Sequence, residues 1–172
     1  IGDPVLNASG EERQIRWIGR RRYDGRFAAG NPSVLPIVIQ AGALGNGLPR
    51  RTLRVSPLHA MELDGKLIPA SLLLNGSSIS QTRRPRRVDY IHVELDTHDL
   101  LLAEGALSET FVDDDSRAMF HNAAEYASLY PSEMRQAAHF CLPRIEDGPK
   151  LEAIRKRLNI LAPEVMERNR VR

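Results

Sequence analysis

The stretch Ala60-Met61-Glu62-Leu63-Asp64-Gly65-Lys66-Leu67-Ile68-Pro69 decides how the rest of the chain is read. Two four-residue apolar segments flank an Asp-Gly pair, the dipeptide that two-residue hairpin turns favour because both central residues need a positive φ. The reading is two antiparallel strands, with Pro69 ending the second. Working outward on both sides, the same grammar of short apolar runs separated by turn residues continues from the first residues to about Phe111. That pattern belongs to an all-β domain and not to alternating strand and helix units. Gln14-Ile15-Arg16-Trp17-Ile18 and Val34-Leu35-Pro36-Ile37-Val38-Ile39 read as strands, the latter at an edge or start because of its proline, and Asp24-Gly25 reads as a turn. Residues 42–47 are a glycine-rich loop, and Ala70 to Leu74 followed by Asn75-Gly76 repeats the strand and turn theme. Val88 to Leu95 alternates, which predicts Ile91, Val93 and Leu95 on the core face and Tyr90, His92 and Glu94 on the other.

After Asp113-Asp114-Asp115 the periodicity becomes helical. Ser116 is the expected N-cap of a helix running through Tyr126, and Pro131-Ser132-Glu133 restarts a short one. Asp147-Gly148-Pro149 opens a third, with Leu151, Ile154, Leu158 and Leu161 on one stripe. The expected organisation is a β-unit over residues 1–112 and a helical C-terminal extension over residues 113–172.

Composition narrows the function classes. The 172 residues are 42% hydrophobic and 27% charged, enough to bury a core, and no apolar run reaches the roughly eighteen residues of a membrane-spanning helix. One cysteine, Cys141, excludes an intramolecular disulfide framework and a cysteine-based zinc site, and is expected to pack as a small apolar side chain in the helical tail. Nothing in the composition assigns a compartment. The formal charge of +2 is too small for a nucleic-acid signature. Lys66, Lys150 and Lys156 are the only lysines, so 21 arginines carry the basicity, clustered at residues 20–22, 50–51 and 83–87. No aromatics are interleaved among them to stack bases, so solvated loops are the preferred reading and nucleic acid is disfavoured as a partner.

Two constellations could carry chemistry. Ser56-Pro57-Leu58-His59 places a hydroxyl and an imidazole three residues apart at a strand end, and His98-Asp99 follows the alternating strand that holds His92. Each alone fits a turn histidine. Other candidates fall away on spacing: residues 113–115 lack the glycine and glutamate of a calcium loop, and His139 has no further ligands at zinc spacing, so no metal and no cofactor is expected. Asn75-Gly76-Ser77 has the form of a glycosylation sequon but reads as a turn.

Taken together and in this order, these segments resemble a known family. Val55-Ser56-Pro57-Leu58-His59 is similar to the Thr/Ser-x-x-His block of the Hint (hedgehog/intein) superfamily. Asp89-Tyr90-Ile91-His92-Val93-Glu94-Leu95, with His98-Asp99 and Ala103-Glu104-Gly105, is similar to its C-terminal strand-His-strand block. Ile15-Arg16-Trp17-Ile18-Gly19-Arg20-Arg21, Leu67-Ile68-Pro69-Ala70 and Asn75-Gly76 further resemble bacterial Hint-type proteins of acetic-acid bacteria and related proteobacteria, and the likeness extends into residues 143–158. The resemblance implies an all-β horseshoe and an autoprocessing reaction, in which an N-terminal Cys or Ser attacks the preceding carbonyl and converts a peptide bond to a (thio)ester. It casts His59 as the acid that protonates the departing nitrogen and Ser56 as the hydroxyl that orients it or stabilises the oxyanion. His98 would act in a second stage, with Asp99 fixing its tautomer or capping the turn. The substrate would be the chain's own upstream polypeptide, with an external nucleophile as a possible acceptor.

Two departures temper that expectation. The family opens on its nucleophile, whereas residue 1 is isoleucine, so the nucleophile strand is expected ahead of Ile1 and the chain as given is expected to be inactive. Inteins end this region in His-Asn, but the matching positions are Glu109 and Thr110, which disfavours asparagine cyclisation and splicing. His121-Asn122 lies in the predicted helix, followed by alanine, and reads as helix surface. The competing expectation is a non-catalytic binding or structural module that keeps the fold.

Overall fold

A computed structural model describes residues 1–134 and 137–170. The chain is mostly antiparallel sheet, as expected, and ends in one long helix. β1 (Pro4–Leu6) and β2 (Glu12–Gln14) form an N-terminal hairpin. β3 (Trp17–Asp24) runs into a single helical turn, α1 (Gly25–Ala28), where Asp24 caps the Arg26 N–H in place of the expected simple turn. β4 (Ile37–Ile39), β5 (Leu53–Val55), β6 (Ala60–Leu63) and β7 (Lys66–Pro69) follow, then β8 (Ile79–Gln81), β9 (Arg87–Glu94), β10 (Leu100–Ala103) and β11 (Ala106–Glu109). The helices α2 (Ala123–Leu129) and α3 (Pro149–Arg170) complete the order. Strands associate as β10-β11-β6-β7, β5-β4-β8, β3-β9 and β1-β2.

Local chemistry explains the hairpins. Asp64 and Gly65 take φ of 54° and 76°, the left-handed pair that joins β6 to β7. Glu104 and Gly105 take 52° and 82° and do the same for β10 and β11, although glutamate is a poor left-handed residue. Arg51 holds Glu104 there through two hydrogen bonds of 2.8 and 2.7 Å. The outer edge of β7 is covered by the chain itself: Leu67 donates to Pro143 O, and Ile145 donates to Leu67 O.

Several local expectations are corrected. Within β9 the alternation is present but the faces are exchanged: Val88 and Glu94 are buried while Ile91 is 68% exposed, and Leu95, just past the strand, is buried as expected. The polar side chains on the inner face are admitted because each finds a partner, Tyr90 Oη on Val34 O at 2.6 Å and Glu94 on Arg117. Only residues 37–39 of the run beginning at Val34 form a strand, and that strand starts just after Pro36. Ala70–Leu73 is a 3-10 turn, not a strand. Ser116 makes no side-chain cap; Asp113 accepts from the Arg117 N–H instead, and a 3-10 turn over Arg117–Met119 precedes α2. Pro131-Ser132-Glu133 begins no helix among the described residues.

The helix α3 follows its stripe. Leu151, Ile154, Leu158 and Val165 are buried in the same cluster as Ile37, Ile39, Ile68, Leu73 and Ile79, with Leu161 partly buried beside them. Each fully buried aliphatic side chain of this kind is worth about 1.5–3 kcal/mol, so the amphipathic stripe and not intrinsic propensity holds the helix in place. A second cluster, Trp17 with Phe111 and Phe120, closes the open side of β3 and β9.

Candidate functional site

The pairing of β6 with β11 brings together residues that lie far apart in sequence. His59 sits at the entrance to β6, its carbonyl accepting from the Ala70 N–H at 3.0 Å and its own N–H donating to Ser56 O at 3.1 Å. Its Nε2 lies 2.6 Å from Ser108 Oγ on β11. The next residue on β11, Glu109, accepts from the Ala60 N–H through Oε1 at 2.6 Å. Its Oε2 stands 3.5 Å from His98 Nε2 and 3.4 Å from Arg144 Nη1, ion-pair distances longer than good hydrogen bonds. The His98 side chain is 1% exposed, and its Nδ1 accepts from the Cys141 backbone N–H at 3.0 Å, which places the ring hydrogen on Nε2, facing Glu109. Arg144 is tied down by Leu58 O at 2.9 Å.

The electrostatics follow from burial. Loss of water lowers the pKa of His59, against the opposing pull of Glu109. Burial, with the neighbouring His59, lowers His92 to about 4. Burial would raise Glu109, but His98, His59, the Ala60 N–H and Arg144 outweigh it and hold the carboxyl below its ordinary value. At neutral pH the cluster therefore sets an ionised Glu109 carboxylate beside the neutral imidazoles of His59 and His92, whose rings lie edge to face at 5.4 Å between centroids.

These groups open on a cleft of about 170 Å³ whose walls include Ser56, His59, His92, Glu109, Phe111 and Phe120. Of the residues singled out by sequence, Ser56 and His59 share this cleft, and His98 meets it through Glu109. Asp99 faces elsewhere: its carboxylate accepts from Asn7 Nδ2 at 2.9 Å and pairs with Arg13 at 3.1 Å, and its N–H donates to Thr110 Oγ1. Of the two roles foreseen for Asp99, this geometry suits holding the turn, and Glu109 is the carboxylate that faces His98. Glu109, Ser108, His92 and Arg144 were not foreseen. For Glu109 a signal existed, since it ends an alternating segment opposite the His59 strand, but a single sequence cannot supply the register.

Two further expectations change. Cys141 lies in an irregular segment and is exposed, so it does not pack as an apolar side chain; its backbone, not its thiol, engages His98. Asn122 precedes α2 and caps the edge of β3, accepting from the Arg20 N–H and donating to Ile18 O, both at 2.9 Å. Among the described residues no group of three or more His, Cys, Asp or Glu is placed to hold a metal ion, and no helix is long and apolar enough to cross a membrane.

An antiparallel β-domain with an imidazole and hydroxyl loop packed against a histidine-bearing strand pair is the architecture of a Hint-type protein. A family model described as a Hint domain matches residues 1–115, two thirds of the chain, and the chain belongs to that family. No curated protein and no solved structure matches it.

Proposed function

We propose that this Hint-domain chain supplies the acid–base machinery of an autoprocessing reaction, an N–S or N–O acyl shift followed by self-cleavage without splicing. The observation that carries the reading is the placing of His59 and His98 on adjacent residues of β11, His59 on Ser108 at 2.6 Å and His98 3.5 Å from the Glu109 carboxylate, at a cleft that also holds Ser56. A Cys or Ser on a segment ahead of Ile1 would attack the carbonyl before it. The carbon–nitrogen bond breaks, a carbon–sulfur or carbon–oxygen bond forms, and the nucleophile's proton is balanced by one delivered to the departing nitrogen.

The residues divide this work. Ser108 occupies Nε2 of His59, so Nδ1 is the nitrogen left to serve the departing amine. With Nε2–H donating to the Ser108 hydroxyl, Nδ1 of the neutral ring takes the nucleophile's proton, and the resulting imidazolium delivers it to the departing nitrogen. Ser56 is the hydroxyl available to the oxyanion. In the second stage Glu109 and His98 share the proton released by whatever attacks the ester, and Arg144 limits how far Glu109 can move. Asp99 acts as a positioning residue, pinning the β1–β2 hairpin through Asn7 and Arg13 beside the His98 loop. Under this reading residues 1–112 form the reacting unit, and residues 113–172 form an extension that covers it. The upstream polypeptide is the substrate.

The test is to express the natural reading frame with the residues before Ile1 and follow its mass with and without dithiothreitol or hydroxylamine. Cleavage accelerated by either reagent, and slowed about 100-fold or more by His59→Ala, is expected. An intact mass under all conditions overturns the proposal and leaves a non-catalytic Hint module.

A further inference from the structure

The inner face of β3 and β9 extends the cleft beyond the imidazoles. The register sets Gly19 opposite His92, Arg21 opposite Tyr90, and Tyr23 opposite Val88. Because His92 lies against His59, Arg21 stands one two-residue step farther along the strand, roughly 7 Å. Arg21, Tyr23 and Tyr90 all line the cleft. The Tyr90 hydroxyl is occupied by Val34 O, so it offers nothing to a ligand.

Arg21 differs from Arg144, the other arginine lining the cleft. Its guanidinium lies over the Tyr23 ring, 4.9 Å from the centroid, and its Nη1 is 3.3 Å from Met119 Sδ. Among the described residues it forms no ion pair, whereas Arg22 and Arg87 share Asp89 and Arg26 holds Asp24. Arg144, the other cation lining the cleft, is already paired with Glu109 and Glu146. Asp114 also lines the cleft but is exposed and outside ion-pair distance of Arg21. A guanidinium oriented by an aromatic face and a thioether, with its donors uncommitted, is built to receive a planar anion.

We propose that Arg21 defines an acceptor subsite for a small aliphatic carboxylate whose far end carries a thiol or amine. The proposal rests on the acyl-shift reading and names the outside nucleophile of that same site. A cleft of about 170 Å³ admits only a small molecule, given roughly 30 Å³ for each water in the liquid. Phe111 and Phe120 give the cleft an apolar wall that suits a short methylene chain. In the transfer step the incoming sulfur or nitrogen bonds to the acyl carbon and the chain's own sulfur–carbon or oxygen–carbon bond breaks. The proton of the incoming group is taken by Glu109 and His98 and returned to the departing thiolate or alkoxide, so no oxidant or reductant is needed.

The upstream-extended chain and its Arg21→Gln variant are compared with 3-mercaptopropionate, 2-mercaptoethanol and cysteamine as nucleophiles. Taking the wild-type to variant ratio for each thiol cancels its intrinsic reactivity. The expected result is about a tenfold loss for 3-mercaptopropionate, the size of one charge-assisted contact, and less than twofold for 2-mercaptoethanol. Equal losses for all three thiols, or a loss confined to cysteamine, overturn the proposal. A second measurement does not depend on cleavage: the Arg21 side-chain Nε–H resonance of chain 1–172 is titrated with 3-mercaptopropionate and with 2-mercaptoethanol. A saturable shift with the first alone is expected, and no shift overturns the subsite. A shift in a protein that no thiol cleaves would keep the subsite and reject the acyl-shift reading.

Discussion

Phe111 separates two buried ionic clusters, each pairing an arginine with a glutamate. It lines both the cleft of His59 and Glu109 and a larger cavity of about 530 Å³ that contains Arg117. In the second cluster Arg117 donates to Glu94 Oε1 at 2.9 Å and to Asp113 Oδ2 at 3.0 Å, and its guanidinium lies 3.5 Å from the Tyr126 ring centroid and 5.0 Å from those of Trp17 and Phe111. In the first, Glu109 meets His98 and Arg144 only at 3.5 and 3.4 Å, and His98 Nε2 is buried without a hydrogen-bond partner. A saturated guanidinium fork is a lock, since any other arrangement loses bonds. A carboxylate held loosely between an imidazole and an arginine can change partner when a proton arrives. Looser geometry and the presence of imidazoles separate the cluster proposed to react from the structural one.

Breaking the lock should have the largest effect. Arg117→Met leaves Glu94 buried without its counter-charge and is expected to cost about 3 kcal/mol or more, read as a lower urea midpoint at unchanged slope. A similar loss there from Glu109→Gln would erase the distinction drawn above.

Acid should open the reacting side first. His92 titrates near 6.5 when unfolded and at about 4 when folded, so the unfolded chain binds more protons between those values and stability falls as pH is lowered through that window. At about 1.4 kcal/mol per pH unit the loss approaches roughly 3 kcal/mol by pH 4, with His59 adding in the same direction. Above pH 6.5 both rings are neutral in both states and contribute no slope. Urea midpoints measured from pH 7 to 4 check this, and His92→Leu should flatten the profile.

Glu109→Gln keeps an acceptor for the Ala60 N–H but removes the charge. It is expected to slow release of the cleaved product about 100-fold while changing stability by about 1 kcal/mol or less, measured by mass and by denaturation of the same preparations. Cys141→Ser should do least, within about 0.5 kcal/mol and without effect on the rate, because His98 is held by the backbone of residue 141. A large effect there would move the thiol into the mechanism.

Legibility in the sequence tracked how local the cause was. The β6–β7 hairpin was readable because Asp64-Gly65 dictates its own turn, and the buried stripe of α3 was readable because helical spacing repeats within the element. The inward face of β9 was not, because Tyr90, His92 and Glu94 are polar, and their burial depends on Val34, His59 and Arg117, each remote in sequence. The segment from Asp113 to Tyr130 misled for a related reason. Its first aspartate, Asp113, serves an arginine and not a helix start, and α2 is a short helix that caps a strand through Asn122. Ser56 and His59 stood together in one motif, whereas Glu109 became a site residue only through the pairing of Ser108 with Met61.

By itself the sequence determined an all-β chain ending in an amphipathic helix, the Hint family, and the Ser56–His59 loop, since turns, periodicities and short motifs act over a few residues. Only the tertiary structure decided which carboxylate faces His98, which face of β9 is inside, and which arginine lining the cleft is left without an ion pair among the described residues. Those are outcomes of strand register and burial, where a shift of one residue would turn every side chain to the opposite face.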